Sequence, residues 1–251
     1  MRVPAHYCGV AALKPTAGRV PNTGVYNHPG GLSDPITQLG PVARYVDDLA
    51  LLLPLLAGPD GADSGVAPVA HRDFSTVRPS ELTVAHFGQE NGSPVSDETV
   101  HAVGAASQAL ARAGVQIEQA HPRDMVRDAR VIHDAWQAIS GSPGQDVVET
   151  FTAWDYLRSS FLRFLDDYDA LLCPADHHAA PPFRAQDPQR FDYAIPFSMT
   201  GNPCVVVRVR AGKDGLPIGV QVVARPWRED VALALAKVLE SELGGWQRPP
   251  L

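Results

Sequence analysis

Short apolar runs alternate along this chain with segments of helical periodicity, and Gly and Pro punctuate both. Residues 1–40 are rich in Gly and Pro around one apolar run, Cys8–Leu13, and predict loops flanking a buried strand. Across residues 42–57, apolar side chains recur at Val46, Leu49, Ala50, Leu53 and Leu56, the spacing of one helix face. Pro41 precedes that segment and Gly58-Pro59 follows it, as start and stop chemistry requires. Pro54, inside it, should kink the helix or expose its last turn. Gly58–Pro79 is polar and reads as a long surface loop.

Leu82–Phe87 predicts a short strand, Ser96 or Asp97 caps a helix running to about Ala113, and Val115–Gln119 alternates as a half-buried strand does. Strand–helix–strand is the unit from which parallel sheets are built. Residues 124–168 are helical and amphipathic, with a break at Gly141-Ser142-Pro143-Gly144, and Ala170–Cys173 is a short buried strand closed by Pro174. A Pro-rich loop fills 174–190. Cys204–Ala211 and Ile218–Ala224 predict two strands of a hairpin turning through Gly212-Lys213-Asp214-Gly215, and Asp230–Leu243 predicts a closing amphipathic helix. There is no internal repeat, and the pattern fits one core.

Composition narrows the function more than the fold. With 251 residues, 45% of them hydrophobic, the chain can bury one sizeable core. A net charge of −7 without like-charge runs argues against a polyanion binder, so no nucleic-acid partner is expected. No run of 18 to 20 apolar residues occurs and no membrane partner is expected; the first residues lack the apolar core of a signal peptide. Cys8, Cys173 and Cys204 are widely separated and match neither a disulfide framework nor a CxxC metal pair, which points to a reducing, cytoplasmic setting. No glycine-rich phosphate loop follows a strand, and no cofactor is expected.

Three segments carry a resemblance. Arg2–Arg19, reading RVPAHYCGVAALKPTAGR, resembles the core of the amidase signature family, with Arg2, Pro4, Ala5, Cys8, Gly9, Leu13, Lys14, Pro15, Thr16, Gly18 and Arg19 in step. Gly40-Pro41-Val42-Ala43-Arg44 followed by Asp48-Leu49-Ala50 is similar to a second block, and PFSMTGNPCVVV, DGLPIGVQVVARPW and ALALAKVLE within Pro196–Glu240 to a third. The resemblance implies an α/β fold, the C-terminal part of the amidase-signature fold, with a mixed sheet flanked by helices on both faces. It also implies hydrolysis of a carboxamide through a Ser–cis-Ser–Lys triad and an acyl-enzyme.

The departures matter as much. In this register Met1 stands where the family has the residue after the nucleophilic Ser. The Ser, the second Ser, the base Lys and the glycine-rich oxyanion loop would all precede it. Residues 1–251 are therefore expected to form a single, N-terminally incomplete domain that is inactive alone. No catalytic residue is assigned within it. Three explanations compete: a truncated amidase, the C-terminal half of a split enzyme completed by a second polypeptide, and a non-catalytic relative that binds a ligand or partner. The expected partners are a small-molecule amide once the site is completed, and a complementing N-terminal polypeptide or a second copy.

Arg2 is expected to brace the nucleophile loop through its fixed donors, and Thr200, Gly201, Asn202 and Gln221 match family positions near the active-site region. Lys14 belongs to the LKPT motif and is expected to be structural. Cys8 is expected to be a small buried apolar residue rather than a nucleophile, with His6 two positions away in an extended segment. Asp176, His177 and His178 invite a metal reading that adjacent histidines serve poorly, and no metal is assigned. Tyr26 and Trp136 are expected to border a substrate pocket. Arg208 stands where the family usually has Pro.

Overall fold

The computed structural model describes residues 1–25, 34–141, 146–183, 185, 187 and 189–249. Its centre is the predicted hairpin. Strands β6 (Cys204–Ala211) and β7 (Pro217–Ala224) pair antiparallel, with a register shift between Arg208 and Arg210, and Gly212 N donates to Leu216 O at the turn. Val205, Val206, Val207 and Val209 of β6 and Ile218, Val220, Val222 and Val223 of β7 are buried on both faces, as interior strands require, and only the turn end of β6 is exposed. On one flank β1 (Ala11–Lys14) pairs antiparallel with β6, and the two-residue β2 (Val42–Ala43) covers part of β1. On the other, β5 (Ala170–Pro174) pairs antiparallel with β7. Strands β3 (Thr83–His86) and β4 (Gln116–Gln119) then continue parallel to β5. The order is β2-β1-β6-β7-β5-β3-β4, a mixed seven-stranded sheet.

Alternation along the strands divides the apolar side chains between two faces, so in place of the single core expected from the pattern there are two large clusters and a small third one of Ala5, Ala12, Ala175 and Val206. Val84, Leu172, Val205, Val207 and Val222 join one cluster with helices α2 (Val46–Leu56), α3 (Asp97–Arg112) and α7 (Glu229–Leu243). Ala85, Leu171, Cys173, Cys204 and Val223 join the other with α4 (Met125–Gly141), α5 (Val147–Phe164) and α6 (Ile195–Met199). Trp154, Phe161 and Phe197 are fully buried there, and Trp136 stands edge-on to Trp154 at 6.1 Å. Trp136 is therefore a core residue rather than the pocket border expected for it. Tyr26 lies outside the described residues.

The β3–α3–β4 unit and α7 form where the sequence predicts them. Ser96 caps α3, its Oγ accepting from Thr99 N. Helix α2 starts at Val46 because Val42–Ala43 is taken by β2, and Pro54 leaves Leu55 75% and Leu56 43% exposed in the last turn. The largest departure is at the start. Residues Arg2–Cys8 form a helix, α1, where loop was expected. Gly9, at φ 65° and ψ 30°, ends it in a left-handed cap, and the strand begins only at Ala11. Helical geometry turns Cys8 outward, so this thiol is exposed, not buried as expected, while Cys173 and Cys204 are buried.

Candidate active-site scaffold

Helix α1 packs on β6 and β7, which puts its first side chain under the sheet's central hairpin. Arg2 is 5% exposed and its guanidinium is held at both ends. Nη1 donates to Gln221 Oε1 at 3.1 Å and contacts Cys204 Sγ at 3.8 Å; Nη2 donates to Ala194 O at 2.6 Å and Ser198 Oγ at 2.7 Å. The planar fork of a guanidinium suits acceptors spread over two strands and a helix, and no ammonium could reach them all. Every acceptor is formally neutral, and burial pulls the Arg2 pKa below its usual value.

Gln221 is fixed in turn. It sits at the middle of β7 with no exposure, and its Nε2 donates to Pro174 O and Tyr193 O, both at 2.7 Å. A buried amide with three partners keeps one orientation, so Arg2 meets an acceptor already aimed at it. The turn from α6 into β6 completes the surroundings. Gly201 has φ 74°, and a Cβ there would lie 3.0 Å from the Ala17 methyl, so Gly answers both the backbone and the packing. Its carbonyl accepts from Ala17 N at 2.9 Å, and Asn202 Nδ2 donates to Ala224 O at 2.8 Å. Thr200 Oγ1 is buried without a partner. Of the five expected site residues, Arg2 and Gln221 touch; Thr200, Gly201 and Asn202 form the adjoining turn, with Asn202 facing the end of β7.

A second strand of the network was not anticipated. Lys14, at the end of β1 and 3% exposed, donates from Nζ to Pro15 O at 2.9 Å and Gln38 Oε1 at 2.5 Å. Gln38 Nε2 reaches Ser198 O at 3.3 Å, so Ser198 is gripped by Gln38 through its carbonyl and by Arg2 through its hydroxyl. Burial lowers the Lys14 pKa to about 7, with Arg2 adding to the effect. A pocket of about 240 Å³ lined by Ala17, Gly18, Asn22, Asp34, Thr37 and Gln38 opens beside this network. Ser198 lies within the PFSMTGN run that carries the resemblance, beside Thr200, and nothing in the run singled it out; Gln38 carried no signal either.

Chemically the cluster is an anchor. A hydrolytic serine needs a base within hydrogen-bond reach, yet Lys14 Nζ bonds to Pro15 and Gln38, and Ser198 Oγ to Arg2. Among the described residues no serine hydroxyl meets a lysine amine. Cys173 is held well above the usual thiol value by burial, which keeps it protonated. His6 is wholly buried and structural: Gly219 N donates to its Nδ1 at 2.9 Å, and its Nε2 lies 3.0 Å from His178 O. The His177 and His178 rings diverge, toward Asp192 at 3.6 Å and Asp187 at 3.2 Å. No group of three His, Cys, Asp or Glu suited to a metal occurs among the described residues. Arg208, 8% exposed, donates to Gly245 O at 2.9 Å and Gln247 Oε1 at 3.1 Å, tying the C-terminal tail to β6.

Comparison with known proteins supplies the context. A family model described as Amidase matches residues 1–142 and 145–233. The chain is 28% identical to a 6-aminohexanoate-cyclic-dimer hydrolase of Paenarthrobacter ureafaciens, over all of this chain and 62% of that protein. It is 29% identical to the AtzE subunit of 1-carboxybiuret hydrolase from Pseudomonas sp. (strain ADP), over 96% of this chain and 60% of the relative. A solved structure of 6-aminohexanoate cyclic dimer hydrolase superposes with a TM-score of 0.75 at 25% identity, covering 96% of this chain and 62% of that one. A solved fatty acid amide hydrolase shares the fold with a TM-score of 0.75 at 20% identity, covering 97% and 55%. The chain thus spans about three-fifths of the length of the curated relatives it matches. No helix among the described residues is long and apolar enough to cross a membrane.

Proposed function

Since the chain belongs to the amidase family, we propose that it is the supporting body of an amide hydrolase whose reacting groups come from a segment preceding Met1 or from a complementing polypeptide. In this reading the nucleophilic serine stands immediately before Met1, and Arg2 holds the start of α1 against Gln221, Ala194 and Ser198. That anchorage carries the reading, because a nucleophile must be held within a fraction of an ångström and Arg2 would be its second neighbour. Thr200, Gly201 and Asn202 shape the turn behind it. The incoming segment would also bring the cis-Ser, the lysine and the oxyanion donors.

The completed site would hydrolyse a small carboxamide. A neutral lysine, through the second serine, takes the nucleophile's proton; the serine oxygen bonds to the amide carbon. The C–N bond then breaks, the amine leaves with a proton, and water releases the acid from the acyl-enzyme. Alone, residues 1–251 should be inert, since loss of a serine nucleophile costs on the order of a millionfold in kcat. The free thiols of Cys8, Cys173 and Cys204 support a cytoplasmic setting. The AtzE relative, named as one subunit of a hydrolase, supports a partner polypeptide.

The test is completion. Residues 1–251 are assayed for amine release from aryl and alkyl amides in three forms: alone, fused behind an amidase-family N-terminal segment ending in Gly-Gly-Ser, and co-expressed with that segment. Activity is expected only after completion, and should vanish when the added serine becomes alanine. Turnover by the chain alone would overturn the proposal. A folded fusion inert toward every amide would do so too, and would favour a binding protein.

A further inference from the structure

A cavity lies away from the Arg2 cluster, between α4 and α5. It is a groove of about 470 Å³ whose apolar walls are Met125, Val131, Ile132, Ala153, Leu157 and Phe161. A second cavity of about 330 Å³ shares Val131, Ile132 and Ala153, so the two form one trough along the helix pair. Val131 and Tyr156 face the trough and are 63% and 70% exposed, an uncommon outlay of apolar surface for a solvent-facing seam. Volumes of this order accommodate a small organic ligand.

The charges along the seam are unevenly satisfied. Arg127 pairs with Asp124 and Asp128, Arg130 with Asp134 and Asp192, and Arg158 with Asp155. Arg123 and Arg163, the two arginines that line the groove, form no ion pair among the described residues. Asp128, the carboxylate lining the larger cavity, is occupied by Arg127, which donates to it from Nε and Nη2 at 3.1 and 2.9 Å; Asp146, the cap of α5, and Glu149 line the smaller cavity, away from the two arginines. The groove therefore presents an apolar floor, two uncompensated guanidiniums, and the hydroxyls of Tyr156 and Ser160.

We propose that the α4–α5 groove binds an amphipathic carboxylate: a monoanionic acid with an aryl or short alkyl body lying on Ile132, Ala153 and Leu157 and its head at Arg123 and Arg163. Burying the body supplies the affinity and the guanidiniums choose the charge. The assignment does not depend on the chemistry of the Arg2 cluster. Phe161, on the groove floor, packs against Phe197 at 5.5 Å, so one layer of side chains separates the groove from the helix that carries Ser198.

Calorimetric titration of the full chain with 4-phenylbutyrate tests this, with 4-phenylbutan-1-ol as the uncharged counterpart. One equivalent of the acid is expected to bind. Arg123→Gln/Arg163→Gln, two exposed positions whose change leaves the fold intact, should weaken the acid at least tenfold and leave the alcohol unchanged. Ala153→Leu, which fills the trough, should abolish both. No binding at millimolar acid, binding that survives Ala153→Leu, or equal affinity in the double variant would overturn the assignment. Concentration-dependent dimerisation abolished by Ala153→Leu would also overturn it, giving the groove to a second copy.

Discussion

Lys14→Met isolates the energetic consequence of a buried amine. In the unfolded chain the lysine stays protonated to about pH 10.4; in the fold, burial at the end of β1 beside Gln38 brings its pKa to about 7. Between those values the unfolded state binds more protons than the folded one, so stability must rise with pH. Below about 7 both states are protonated and the fold carries the full penalty, roughly 5 kcal/mol at about 1.4 kcal/mol per pH unit. From pH 7.5 to 9 the wild-type chain should therefore gain about 2 kcal/mol from this group. Methionine retains the unbranched stem and cannot titrate. It forfeits the bonds to Pro15 O and Gln38 Oε1, a loss that shifts stability by a nearly constant amount at every pH. Urea unfolding at half-unit pH steps, on both proteins, gives the comparison: other titrating groups are common to the pair and cancel in the difference. The difference in unfolding free energy should change by about 2 kcal/mol across the window. Parallel curves would show that Lys14 remains charged in the fold, and the account of the network around Ser198 would fail with it.

Three further outcomes follow from the same geometry. Arg2→Lys keeps the charge but cannot span Gln221, Ala194 and Ser198, and should cost about 2–4 kcal/mol by urea midpoint as buried acceptors lose their donors. Glu229→Ala strands Arg19, its partner at 2.8 Å and 2% exposed, and should cost about 3–5 kcal/mol by the same measurement. Native thiol titration should find one fast-reacting cysteine, Cys8, with Cys173 and Cys204 reacting only as the chain unfolds; a Cys8→Ser variant with an unchanged fast phase would contradict the outward orientation of that side chain.

Elements with long, regular patterns were legible. The Val-rich hairpin, the capped α3 between its strands and the final helix appear where periodicity and turn chemistry place them. The short pieces were not. Seven residues holding Pro4 and capped by Gly9 give too little repetition to distinguish helix from loop, and missing α1 also misplaced the Cys8 side chain. Helix α6, five residues long, and the two-residue β2 exist because tertiary contacts hold them. The candidate site lay between these cases. Spacing cannot relate Arg2 to Gln221 across 219 positions; only the resemblance grouped them. Gln38 and Ser198 were missed because neither stands in a pattern that separates a buried hydrogen-bond partner from a surface residue.

The order in which the ribosome releases these groups has its own consequence. Arg2 emerges well before its acceptors at 194, 198 and 221, which are translated 192 to 219 residues later, on the order of ten to forty seconds at ordinary elongation rates. Until β7 has left the exit tunnel the guanidinium lacks Gln221, and α1 has only part of the surface it rests against. The cluster is thus a late lock, followed only by ties such as Arg19 to Glu229 and Arg208 to Gly245, and a chain released before the hairpin is complete would be a folding dead end, open to proteases and holdase chaperones.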